Sequence, residues 1–273
     1  IAGKGGGGLA GTETATGAPW AVILGASSGF GAATSRELAA AGFNICGVHL
    51  DRRSTLPQAE AVIADVQAAG REAAFFNVNA ADPEKRAEVI QALKDRGARV
   101  RVLMHSLAFG TLRRYIEPDP AQQLTQKQLE MTLDVMANSL VYWTQDLFHA
   151  GLFDQDARIF AMTSEGSTRV WAGYGAVSAA KAALEAHIRQ LAVELAPHGI
   201  AANSIQAGVT PTPAQSKIPG ADEMLEGAKA RNPGGRVTTP EDVARAIRVL
   251  STPGIGWITG NVIRVDGGEA IVP

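Results

Sequence analysis

The chain has 273 residues, of which 46% are hydrophobic and 19% charged, and a formal net charge of −2. Such usage is that of a globular protein, and this length suits one α/β unit built on a single sheet. The charge balance gives no general basis for binding nucleic acid or anionic lipid, and apolar runs of about six residues fall far short of the ~20 that cross a bilayer. Cys46 is the single cysteine and lies in an apolar segment, so no intrachain disulfide can form. A soluble protein of a reducing, cytoplasmic compartment is expected.

Residues 1–18, IAGKGGGGLAGTETATGA, have no hydrophobic periodicity and read as a flexible glycine-rich arm. The GKGGGG within it lacks the preceding strand and following apolar helix of a phosphate loop, and the segment lacks the apolar centre of a signal peptide. From residue 19 onward, short β-rich runs alternate with segments of helical spacing. WAVILG (20–25) predicts a strand and AATSRELAAAGF (32–43) a helix ended by Gly42. NICGVHL (44–50) predicts a second strand, 58–70 a helix, and EAAFFNVN (72–79) a third strand. Residues 82–97 follow as a helix capped by Asp82, with Pro83 in its first turn.

VRVLMHS (100–106) is a fourth strand, and 125–150 reads as one long helix opened by Thr125. ARIFAMTS (157–164) is a fifth strand, followed by the helix that contains Lys181. IAANSIQAG (200–208) and NVIRVDGG (261–268) complete seven strands. Regular alternation of this kind predicts a single doubly wound, Rossmann-like domain over 19–273, with a seven-stranded parallel sheet and helices on both faces.

Between the first strand and first helix lies GASSGFG, with glycines at 25, 29 and 31. Glycines there let backbone N–H groups approach a diphosphate at a helix N-terminus, where the aligned peptide dipoles favour negative charge. Packing alone also places glycines at such turns. The second strand ends in HLDRRS, and by register from the glycine loop the position usually acidic falls on His49 and not on Asp51. Arg52 and Arg53 then remain to make forked contacts with a ribose 2′-phosphate, which favours NADPH over NADH; a solvated charged turn is the alternative. Tyr174 lies seven residues before Lys181, and the position four before the lysine is Val177. Residues seven apart on a helix share a face about 10 Å apart along the axis, against ~6 Å for a spacing of four. Ketone reduction needs an acid beside the oxygen of the carbon receiving hydride. In enoyl reduction charge develops on a thioester oxygen two carbons away, and the wider spacing is consistent with that displaced oxygen.

The glycine loop, YGAVSAAKAALEA (174–186) and NVIRVDGG together make the chain resemble the short-chain dehydrogenase/reductase family over about 19–272. Tyr-x6-Lys, with HSLAFG (105–110) ending the fourth strand, resembles the NADPH-using enoyl-acyl carrier protein reductases of that family. The resemblance implies reduction of a 2,3 double bond in fatty-acid synthesis and a homotetramer. It implies Tyr174 as donor to the enolate oxygen, Lys181 as holder of the nicotinamide ribose, and Ser164 as a secondary group that either polarises the substrate or only caps its turn. It implies cofactor contacts from Gly25, Ser27, Ser28, Gly29, Phe30, Gly31, Arg52, Arg53, Asn79, Ala80, Ser106, Leu107, Ala108, Lys181, Gly208, Val209 and Thr212. The backbone of Val209 and Thr212 would meet the nicotinamide carboxamide. Where the wider family places a catalytic asparagine this chain has Met136, and His105 is expected to be structural.

Residues 211–235, with four prolines and four glycines around a short helical piece, predict a lid over an acyl chain. Its lysines and arginines, with Arg113 and Arg114, would receive an acidic acyl carrier protein; a plain solvated loop is the alternative. No metal site is expected. Two other functions fit the same fold: a carbonyl reductase acting on 3-oxoacyl or polyketide substrates, and a non-catalytic NADP(H) sensor.

Overall fold

The computed structural model describes residues 17–272. The expected glycine-rich arm falls almost entirely outside them. Among the described residues seven strands form one parallel sheet in the order β3-β2-β1-β4-β5-β6-β7. They are β1 (Trp20–Leu24), β2 (Asn44–His49), β3 (Ala73–Asn77), β4 (Val100–His105), β5 (Phe153–Thr163), β6 (Ala201–Ala207) and β7 (Val262–Val265).

Alternate residues of β1 point to opposite faces of the sheet, so each enters a different core. Trp20, Val22 and Leu24 pack with α3 (Pro83–Asp95), α5 (Ser139–His149) and α6 (Gly175–Leu195). Ala21 and Ile23 pack with α1 (Gly29–Ala40), α2 (Leu56–Ala68) and α8 (Pro240–Leu250). Covering both faces is what makes central strands such as WAVIL apolar throughout rather than alternating.

Helix signals in the sequence act as read. Asp82 accepts from the N–H groups of Glu84 (2.9 Å) and Lys85 (3.1 Å) at the start of α3. Thr125 and Gln128 close a reciprocal capping box on α4 (Gln126–Leu133). The long helix expected over 125–150 is nevertheless interrupted: Asp134–Asn138 form a wide π-type turn between α4 and α5. Helix α1 begins at Gly29, three residues earlier than its apolar spacing indicates, because the last glycines of the loop already belong to its first turn. The lid segment contains α7 (Ala221–Arg231). Helix α8 was not among the expected elements; its start is fixed by Thr239 and Asp242, which cap each other, with Pro240 at the first position.

The strand order reverses between β1 and β4. A crevice at the carboxyl ends of the strands forms at such a switch point, and ligands of doubly wound folds bind there.

Candidate active site

The glycine loop crosses this crevice under tight steric limits. Gly25 has φ +88°, and a Cβ there would overlap the Ser106 carbonyl at the end of β4. A Cβ on Gly31 would overlap the Gly25 carbonyl, so the close approach of α1 to β1 needs glycine at both places. Ser28 occupies the N-cap of α1 without a side-chain cap bond, and the first turn carries no acidic residue. A narrow glycine-lined cradle against an uncapped helix N-terminus fits the diphosphate of a dinucleotide.

Next to the loop, His49 ends β2 buried and its Nδ1 lies 2.8 Å from Asp51 Oδ2. Burial works against the ionised form of Asp51, but hydrogen bonds from Thr55, Ser27 and His49 outweigh it and hold the pKa below the ordinary carboxylate range. Arg52 and Arg53 are exposed on the same turn, and neither enters an ion pair among the described residues. Asn79 and Ala80 follow β3; the Ala80 carbonyl accepts from Trp143 Nε1 at 2.8 Å, and Asn79 Oδ1 from the Ala81 N–H.

Beyond the crevice a cavity of about 320 Å³ opens toward the lid. It brings together Tyr174, Lys181 and Ser164 with Phe30, Ser106, Leu107, Ala108, Gly208, Val209 and Thr212. The other expected cofactor residues do not line this cavity; they lie along the carboxyl edge that leads from it toward β3.

Lys181 is 6% exposed, and its Nζ donates to the Met162 carbonyl at 2.7 Å. Burial depresses its pKa from an ordinary 10.5 to about 8, with Glu185 opposing the shift. Tyr174 is half-buried and stands at the N-cap of α6, just before the helix on which the spacing had placed it. Burial raises its pKa, while the Ser164 hydroxyl facing it acts in the opposite sense. That facing is off-axis: the buried Ser164 Oγ meets no partner with full hydrogen-bond geometry. A Cβ on Gly166 would collide with the Tyr174 ring, so the 164–166 turn fits closely around the phenol.

His105 is fully buried, with Nε2 2.9 Å from Ser139 Oγ, and Ser139 in turn donates to the Val135 carbonyl of the π turn. Desolvation and the neighbouring Lys181 push the His105 pKa down to about 3, so it is neutral near pH 7. It braces the floor below Lys181 rather than facing the cavity.

A family model described as enoyl-(acyl carrier protein) reductase matches residues 25–269. The chain belongs to the short-chain dehydrogenase/reductase family. It is 30% identical over 256 residues to a 3-oxoacyl-[acyl-carrier-protein] reductase of Synechocystis, covering 93% of this chain and 98% of the relative. It is 27% identical over 253 residues to the 1-cyclohexenylcarbonyl-CoA reductase of Streptomyces collinus, covering 92% and 86%. A solved short-chain dehydrogenase of Burkholderia cenocepacia in complex with NADP superimposes with a TM-score of 0.78 at 27% identity, covering 92% of this chain and 98% of that one. Other relatives are named as NADH-dependent enoyl reductases. The chain is therefore a reductase of this family that binds a nicotinamide dinucleotide.

Two residues singled out in the sequence, Val177 four before Lys181 and Met136, lie on the cavity wall. Val177 is buried there, one turn before Lys181, and Met136 of the π turn is buried beside it. Both pack around Gly110, where a Cβ would strike Met136 Sδ, Thr132 and Val177. Ile218, Met224 and Gly227 of the 211–235 segment line the cavity, and Trp171 Nε1 donates to the Pro219 carbonyl at 3.4 Å. Arg231, expected among the outward cations of the lid, instead turns into the cavity and meets Glu269 at 3.3 Å. Glu269 was not evident in the sequence as a site residue. No group of metal-ligating side chains occurs among the described residues, and no helix among them is long and apolar enough to cross a membrane.

Proposed function

We propose that this reductase reduces the 2,3 double bond of an enoyl thioester, with NADPH as the source of hydride. One observation carries the reading. Val177 fills the wall one turn before Lys181, and Tyr174 stands three residues earlier, at the N-cap of α6, with its side chain on the wall of the same apolar cavity. A donor set back in this way suits an oxygen two carbons removed from the carbon that receives hydride.

The cofactor, when bound, supplies hydride to C3 of the substrate. Tyr174 donates a hydrogen bond to the thioester oxygen, where negative charge collects as the enolate forms, and a proton delivered to C2, directly or through solvent, completes the saturated thioester. Its raised pKa keeps the phenol protonated for that task near neutral pH. Lys181 holds the nicotinamide ribose hydroxyls and places a positive charge below the developing anion. Leu112, Met136, Ile218 and Met224 exclude water and receive the acyl chain. The carrier is read as acyl carrier protein, received by Arg113, Arg114 and the lid cations other than Arg231, in a cytoplasmic homotetramer of fatty-acid synthesis.

NADPH is assigned on Arg52 and Arg53. Asp51 stays ionised, its carboxylate held by hydrogen bonds from Thr55, Ser27 and His49, and the exposed Arg52 and Arg53 on the same turn set two positive charges against it. Replacing both arginines by alanine should weaken NADPH binding about tenfold and leave NADH binding unchanged, measured by quenching of tryptophan fluorescence. Equal weakening of the two cofactors would remove the assignment.

Ser164 favours a second reading. Its buried, unpartnered Oγ beside Tyr174 is placed to polarise a ketone, as in a 3-oxoacyl reductase. Initial rates with NADPH on a 2-enoyl thioester and on the matching 3-oxoacyl thioester separate the two. Turnover of the enoyl compound supports the proposal; turnover of the oxo compound alone overturns it. Tight cofactor binding with turnover of neither would make the chain a sensor.

A further inference from the structure

Glu269 is 3% exposed, yet it lies on the wall of the cavity shared by Tyr174, Lys181 and Thr212. Its carboxylate is divided between two elements. Oε2 accepts from the Val209 N–H at 3.1 Å, at the end of β6, and Oε1 accepts from Arg231 of the lid helix at 3.3 Å. Asp266 fixes the turn that carries it, through the N–H groups of Gly268 (2.9 Å) and Ala270 (3.1 Å), while Asn232 donates to the Asp266 carbonyl at 2.8 Å. A carboxylate held this firmly cannot turn away to solvent. Glu165 and Glu223 also line the cavity, but neither is buried.

Resting on the nicotinamide reading above, Val209 is the backbone donor that would meet the carboxamide. Glu269 already uses that donor, so this corner of the site offers the ring an acceptor and a negative charge. We propose that Glu269 contacts the nicotinamide end of the cofactor, accepting from the carboxamide NH2 and favouring the oxidised, cationic ring over the reduced, neutral one. Arg231 neutralises part of that charge, and its buried Nε has no partner, so the cation is committed to this corner without being saturated. Burial raises the Glu269 pKa, and the Val209 N–H and Arg231 work against that shift. The oxidised-to-reduced preference is thus a property of the Glu269–Arg231 pair.

The test compares dissociation constants, by titration calorimetry at pH 8, for the oxidised and reduced forms of whichever nicotinamide dinucleotide the unaltered chain binds more tightly. The matching ADP-ribose, which has no nicotinamide, serves as the third ligand. Glu269→Gln keeps the shape and the acceptor for Val209 but removes the charge. It should weaken the oxidised form relative to the reduced form about tenfold and leave ADP-ribose binding unchanged. Arg231→Gln should move the ratio in the opposite direction, an effect that loss of structure would not produce. An unchanged ratio in both variants, or equal weakening of all three ligands, would overturn the role of Glu269. If the unaltered chain binds ADP-ribose and both dinucleotides equally, the nicotinamide site itself is wrongly placed and both readings fall.

Discussion

Replacing Tyr174 with phenylalanine should lower kcat for enoyl-thioester reduction about 100- to 1,000-fold while leaving the dissociation constant of NADPH nearly unchanged, as for removal of one oxyanion donor. Only the hydroxyl is lost. The ring keeps its packing against the apolar core on the α6 side of the sheet and its close fit to Gly166, so the turn over residues 164–167 and the start of α6 stay in place. Ser164 stands beside the phenol where a ketone oxygen would lie, and on the enoyl reading the displaced thioester oxygen does not occupy that point. The Tyr174→Phe, Ser164→Ala double variant should therefore be little slower than Tyr174→Phe alone. A Tyr174→Phe enzyme with full kcat would remove the phenol from the mechanism.

Lys181→Met should weaken NADPH binding and cut kcat/KM by about 100-fold or more, yet raise stability. The sign follows from the depressed pKa. The unfolded chain holds the lysine proton up to about 10.5 and the folded chain releases it near 8, so between these values the unfolded state binds more protons and stability rises with pH. Below pH 8 the buried charge destabilises the fold by on the order of 3 kcal/mol. Removing the ammonium relieves this, and leaving the Met162 carbonyl without its donor returns about 1 kcal/mol. The net gain of about 2 kcal/mol corresponds to a Tm higher by roughly 4–8 °C at neutral pH, read by differential scanning calorimetry. In the unaltered enzyme the same titration should make kcat/KM fall as pH rises through about 8. A variant that loses both activity and stability would assign Lys181 to the scaffold instead of the site.

Much of the frame is legible in short stretches of sequence. The strands show as apolar runs because both faces of the sheet are covered, and Asp82, Pro83 and Thr125 mark helix starts by chemistry that acts within three or four residues. Gly25 and Gly31 are legible for the same reason: each answers a local steric demand. Helix α8 carried equally local signals, the Thr239 to Asp242 box and the helical spacing of Val243, Ala244, Ile247 and Leu250, although it was not among the expected elements. The π turn at Met136 has no residue signature; it packs against α6 and the loop at Gly110, which lie far from it in the chain. Glu269 could not be read either. Its partners, Arg231 and Val209, lie 38 and 60 residues earlier in the chain, and the pairing of β6 with β7 brings the β7 turn to them. Local chemistry thus marks the cofactor cradle, whereas the corner that would discriminate between the cofactor's oxidation states emerges only from the sheet.

The enoyl reading depends on where hydride arrives. NADPH carrying deuterium at the transferred position, incubated with a 2-enoyl thioester, should give a saturated thioester with deuterium at C3 by mass spectrometry. An untouched enoyl thioester, with deuterium found on the carbinol carbon of a product made from the 3-oxoacyl thioester, would contradict it.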